Sequence, residues 1–288
     1  MAESKEITVD QSKIQSLQME RSVTVFQVAP DTSVDLTSSE LLLSKIFVEF
    51  IAMTLFVFIG CGAAVSTSRT ADFGSAGWVT GVALAFGFAI TALAYSIGHV
   101  SGGHINCAVT LGLVIAGACP VVDGLVIVCG QILGSLFGAG LLAGVFSKKM
   151  DATGALGSNA FSPGFGAGNV FIGECLMTFL LFFVVAECAL RKRLDFNPKI
   201  FMDGVGFNPP IAIGFAVFLA HMVLIPVDGC SINPTRSFGP LVVASMRGLP
   251  KGSTHWENFP VFFFAPMIGA SIAGLYYRLT KTSRGDNS

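Results

Sequence analysis

The chain has 288 residues, 52% of them hydrophobic and only 12% charged, with a formal net charge of −1. The charged share is about half that of an average soluble domain, and so apolar a chain is not disordered despite its 33 glycines. Near-neutral charge, with no basic patch interleaved with aromatics, excludes a nucleic-acid binder and leaves a polytopic membrane protein.

In chain order, residues 1–40 are polar and have no apolar h-region, so they read as a mobile tail without a cleavable signal peptide. Apolar runs of spanning length follow at about 44–66, 77–98, 121–145, 168–190, 209–226 and 258–280. The third run carries Gly130, Gly134 and Gly138 at i, i+4 and i+8, a face that lets another helix approach closely. A stretch rich in Gly, Ser and Asn near 151–168 separates two halves, about 41–150 and 165–280, and residues 281–288 form a second tail. The seven cysteines (Cys61, Cys107, Cys119, Cys129, Cys175, Cys188 and Cys230) lie in or beside apolar runs with no CxxC pair. They read as small buried thiols, with neither a metal site nor a disulfide framework.

The halves repeat. Glu49-Phe-Ile-Ala-Met-Thr54 returns as Glu174-Cys-Leu-Met-Thr178, 125 residues on (174 − 49), and Asn106 returns as Asn233, 127 residues on (233 − 106). Three spans per half is an odd number, so the second copy is inverted in the membrane, and inverted repeats place a site near the midplane.

The two asparagines each open a short apolar run: Asn106-Cys107-Ala108 and Asn233-Pro234-Thr235. From Cys107 to Cys119 a helix reaches roughly 18 Å, against about 30 Å of hydrocarbon. Such segments dip in and stop. Two of them meeting by their N-termini expose unpaired N–H groups and partial positive charge, a zone hostile to cations and to a hydrated proton. Asn suits the cap, its oxygen accepting from backbone N–H while its amide donates to the pore. Pro234 suits the first helical position, having no N–H to satisfy. Cys107 stands there in the first copy. The Lys and Arg bias favours both termini on the cytoplasmic side.

These residues resemble the aquaporins of the major intrinsic protein family. The resemblance spans about 42–280 and rests on Gly-His-Val-Ser-Gly-Gly-His-Ile-Asn-Cys-Ala-Val-Thr and Ser-Ile-Asn-Pro-Thr-Arg-Ser-Phe-Gly-Pro. It departs from the family's Asn-Pro-Ala at Cys107 and Thr235. It implies an all-α membrane protein of six tilted helices and two re-entrant half-helices, one pore per subunit, a homotetramer and no cofactor. By the same resemblance Phe86, His221, Cys230 and Arg236 form a narrow filter: Phe86 narrows it, while His221 and Arg236 donate hydrogen bonds and Arg236 repels cations. Glu49 and Glu174 accept hydrogen bonds from the loops entering the half-helices, and His99 and His104 brace the first of those loops. The connection from Arg191 to Asn208 and the runs near the second motif are similar to the plant plasma-membrane subfamily, which implies a plasma-membrane location and a loop able to gate.

The function implied is passive passage of water without protons or ions. Glycerol-conducting relatives usually carry Gly in place of the filter His and Asp after the Arg; here those positions hold His221 and Ser237. A pore for glycerol, hydrogen peroxide or carbon dioxide is the alternative. A secondary transporter would need a titratable relay beyond the Glu49 and Glu174 pair, and a junction protein would favour a blocked constriction. No catalytic residues are identified, because no nucleophile, base and oxyanion donors assemble.

Overall fold

The computed structural model describes residues 38–68, 72–190, 209–251 and 253–282, and all regular structure among them is helical. Most of both tails and the expected gate between Arg191 and Asn208 lie outside the described residues.

Among the described residues six helices are long and apolar enough to cross a membrane: α1 (Ser38–Thr67), α2 (Ala76–Ser101), α4 (Val121–Val145), α5 (Ala167–Val185, continued by a π turn at Ala186–Leu190), α6 (Pro209–Asp228) and α8 (His255–Thr282). α1 and α8 run several residues past the apolar stretches that identify them, since a helix does not stop where the hydrocarbon does. Two short α-helices lie between them, α3 (Cys107–Ile115) and α7 (Pro234–Met246). α3 has 9 residues, about 14 Å. It ends before Cys119 because Gly117 turns left-handed at φ 74°. The Ala118 N–H then bonds Leu113 O at 2.9 Å and Gly117 N–H bonds Val114 O at 3.0 Å, closing the last turn.

Packing follows the duplication. α1 lies along α4 and α5 along α8; α2 crosses α6; α7 rests on α4, and α3 on α8. A Cβ at Gly130, Gly134 or Gly138 would strike the carbonyl oxygens of Ile46, Phe50 and Thr54, so this glycine face lets α4 lie directly on the backbone of α1. Gly269 does the same for α8 against Cys175 O on α5. On the axis between the halves, a Cβ on Gly87 would meet Gly214 O, and one on Gly214 would meet Gly87 O. These two glycines stand 127 apart (214 − 87), the same offset as the two asparagines. The geometry is that of an inverted repeat folded about one axis, with α3 and α7 pointing inward.

Candidate functional site

The local chemistry at the two tips is nearly symmetric. Ile105 and Ile232, the residues before each Asn, adopt φ 49° and 43°. Left-handed backbone is uncommon for β-branched residues and persists only where the surroundings over-determine it. The determinants are visible. Glu49 accepts from Ile105 N at 2.8 Å and from His104 N at 2.8 Å. Glu174 accepts from Ile232 N and Ser231 N, both at 2.6 Å. Ser101 and Gln131 fill the remaining acceptor sites of Glu49 at 2.7 and 3.0 Å, so this fully buried carboxylate meets four donors.

From those turns the two caps project. Asn106 Oδ1 accepts from Ala108 N at 2.8 Å and Val109 N at 3.4 Å. Asn233 Oδ1 accepts from Arg236 N at 3.2 Å and from the Thr235 hydroxyl at 2.6 Å. Each amide nitrogen then crosses to the other half: Asn106 Nδ2 donates to Ile232 O and Asn233 Nδ2 to Ile105 O, both at 2.8 Å. The structure thus brings together two segments 127 residues apart, tip against tip.

A continuous cavity of about 460 Å³ runs past them. Its walls include Lys45, Asp123 and Pro210 at one end, both asparagines in the middle, and Phe86, His221 and Arg236 at the other. Cys107 and Thr235 do not line it; they border a second, apolar cavity of about 490 Å³ between α4 and α8.

Phe86, His221 and Arg236 form one packed group. Phe86 and His221 stack with ring centroids 4.3 Å apart, and the Arg236 guanidinium carbon stands 4.8 Å from the Phe86 centroid. His221 Nδ1 lies 2.8 Å from Val217 O. A carbonyl only accepts, so Nδ1 carries the proton and Nε2 of the neutral ring offers a lone pair. His221 was expected to donate to the passage; this geometry makes it an acceptor there, opposite a donor arginine. His221 Nε2 and Arg236 Nε are buried and have no protein partner among the described residues, and both residues line the cavity.

Two expectations for the site need correction. Cys230 is fully buried and forms no wall of the main cavity. It lies in a left-handed turn at φ 55°, tied by its N–H to Asp228 Oδ1 at 2.7 Å. His99 is exposed in the last turn of α2 and makes no hydrogen bond to a described residue, so the brace is His104 alone. Thr110 spends its one hydroxyl proton on Asn106 O at 3.0 Å, which leaves it to accept from His104 Nδ1 at 3.0 Å.

Asn159 had no signal in the sequence beyond lying in a Gly/Ser-rich stretch. Its Oδ1 accepts from Arg236 Nη1 at 2.6 Å and Ser237 Oγ at 2.7 Å, while Gly157 O takes Arg236 Nη1 at 3.1 Å. The segment read as a separator therefore holds Arg236 in the cavity wall. Asp151 shapes it by accepting from Leu156 N at 2.8 Å and Thr153 N at 3.1 Å.

Residues 36–277 match the family described as major intrinsic protein. Aquaporin FA-CHIP of Pelophylax lessonae is 36% identical over 239 residues, covering 81% of this chain and 80% of that protein. Aquaporin PIP1-1 of Arabidopsis thaliana is 36% identical over 229 residues, covering 80% and 76%. Among solved structures, the aquaglyceroporin from Plasmodium falciparum superposes with a TM-score of 0.72 at 18% identity, over 86% of this chain and all of that one.

Proposed function

Because the chain belongs to the major intrinsic protein family, we propose that it is a passive water channel that turns back protons and ions. The observation that carries this reading is the cavity that passes both cap asparagines and then the Phe86, His221 and Arg236 group. Each Asn amide has two N–H bonds. One is spent on the opposite Ile carbonyl, and the other remains for a molecule in the passage. A water that accepts from both asparagines keeps its own hydrogens for neighbours on either side. The chain of waters is then oriented in opposite directions from the middle, which breaks the relay a proton would need. The N-termini of α3 and α7 add positive potential at the same point, which disfavours any cation.

At the other constriction Arg236 donates and repels cations, His221 accepts, and Phe86 supplies an apolar wall. The ring of His221 takes the space a bulkier polyol would need, which favours water over glycerol. Cys230 contributes only as a packed turn. The wider reading follows the same family: both termini cytoplasmic, a multi-pass protein of the plasma membrane, and a homotetramer with one passage in each subunit.

Stopped-flow light scattering of vesicles carrying the purified chain tests the proposal. Water should equilibrate well above empty vesicles, while glycerol flux and dissipation of a pH gradient stay at background. Water flux equal to that of empty vesicles would overturn it, and glycerol flux comparable to water flux would favour the solute-channel alternative.

A further inference from the structure

The two tips are not chemically identical, and their differences answer each other. By the offset of 127, Cys107 is the counterpart of Pro234 (234 − 107), and Ala108 is the counterpart of Thr235 (235 − 108). Proline at the first helical position has no N–H. Cysteine there has one, and the first N–H groups of a helix have no acceptor within it. Cys107 is only 4% exposed, so water does not readily take the bond, and an orphaned donor at that depth is costly.

Thr235 supplies the acceptor from the other half. Cys107 N donates to Thr235 Oγ1 at 3.4 Å, and Thr235 Oγ1 donates to Asn233 Oδ1 at 2.6 Å. The hydroxyl has a single proton and spends it on Asn233, so toward Cys107 it can only accept, and both bonds are consistent with one rotamer. The alanine at the equivalent position of the first half has neither capacity. We infer that Cys107 and Thr235 are a matched pair: the hydroxyl on one tip takes up the N–H that a missing proline exposes on the other, and thereby positions the Asn233 carboxamide. Neither side chain lines the main cavity. Thr235 is thus a positioning residue, acting through Asn233, and the inference rests on the reading of that cavity as the water path.

The pair predicts an asymmetric pattern of variants. Thr235→Ala strands the Cys107 N–H and leaves Asn233 Oδ1 with one of its two donors. Cys107→Pro removes the N–H and leaves the Thr235 bond to Asn233 in place. The double variant makes both tips Asn-Pro-Ala and strands no N–H, while Asn233 Oδ1 keeps only the Arg236 N–H as donor. The full chain in vesicles should show T235A lowered about threefold in water permeability per molecule, the scale of one net hydrogen bond. T235S and C107P should stay near the parent, and C107P/T235A should recover the part of the loss that the stranded Cys107 N–H causes.

Amide hydrogen exchange gives a second readout that does not depend on flux. The Cys107 amide should exchange faster in T235A and in T235V, which keeps the bulk without the hydroxyl, and should be unchanged in T235S. If T235A does not fold, the contrast between T235V and T235S decides. The inference is overturned if T235A and T235V match the parent in both assays, or if the double variant is no better than T235A. A parent chain that passes no water would sink the channel reading instead, and the exchange comparison would still judge the pair.

Discussion

Asn106 and Asn233 hold each other through their neighbours: each donates its amide at 2.8 Å to the carbonyl of the isoleucine that precedes the other. The two bonds cross the axis between the halves, and each carbonyl belongs to a left-handed residue whose N–H is gripped by a buried glutamate. The tips are thus fixed by a closed ring of hydrogen bonds rather than by apolar contact alone.

Asn106→Asp breaks this ring with almost no change of shape. The carboxylate that replaces the amide has no proton for Ile232 O and brings a negative charge to a point designed for donors. Water flux should fall by about tenfold or more, the loss of roughly 1.5–3 kcal/mol that follows removal of a charged or buried partner. Vesicle swelling at matched protein density measures it.

Gly60 sits against Phe86, and a Cβ there would run into the Phe86 ring. The ring is itself confined by Phe56 and His221. Gly60→Ala should push Phe86 toward the passage and reduce water flux several-fold, with an overpacking penalty of about 1–3 kcal/mol in stability. Replacing Phe86 by Leu in the same chain should restore flux, because the smaller side chain gives back the displaced space.

Asn159 makes the shortest hydrogen bond to Arg236, at 2.6 Å. Asn159→Ala removes the 2.6 Å bond to Nη1 and leaves Gly157 O alone to hold that nitrogen. Loss of a charge-assisted bond costs about 1.5–3 kcal/mol. Arg236 should become mobile and cation exclusion should weaken. A fluorescent pH indicator inside vesicles should report faster dissipation of a proton gradient than in the parent chain, with water flux little reduced.

His221→Gly removes the ring stacked on Phe86 and opens the constriction on one side. Glycerol uptake should rise by about tenfold or more over the parent, the scale of discrimination that a steric difference of this size supports. Background glycerol flux in a folded variant would show that the narrowest point lies elsewhere.

The spans, the duplication and the two cap asparagines were legible in the sequence because each is a local pattern: an apolar run, a repeated Glu, a breaker before a short helix. That Glu49 and Glu174 take partners was legible because a carboxylate inside an apolar span needs them, while the loops as those partners, and His104 as a brace, came from the family resemblance and from its place beside the first short helix. The chain's long-range ties were not legible. Nothing near Asn159 announces that its oxygen meets an arginine 77 residues later (236 − 159). Thr235 read as a departure from a motif, and its use emerged only when Cys107 was seen across the axis. Cys230 fell within a plausible spacing, but a left-handed turn and a bond to Asp228 take it out of the wall.

The left-handed isoleucines carry a final consequence for each half taken alone. Remove residues 165–280, and the Ile105 carbonyl loses the Asn233 amide that bonds it; the Ile232 carbonyl likewise loses the Asn106 amide without the first copy. A single copy expressed on its own would insert its three spans and still lack a settled re-entrant tip. The pore centre is therefore complete only when both copies are present and the two turns can clasp.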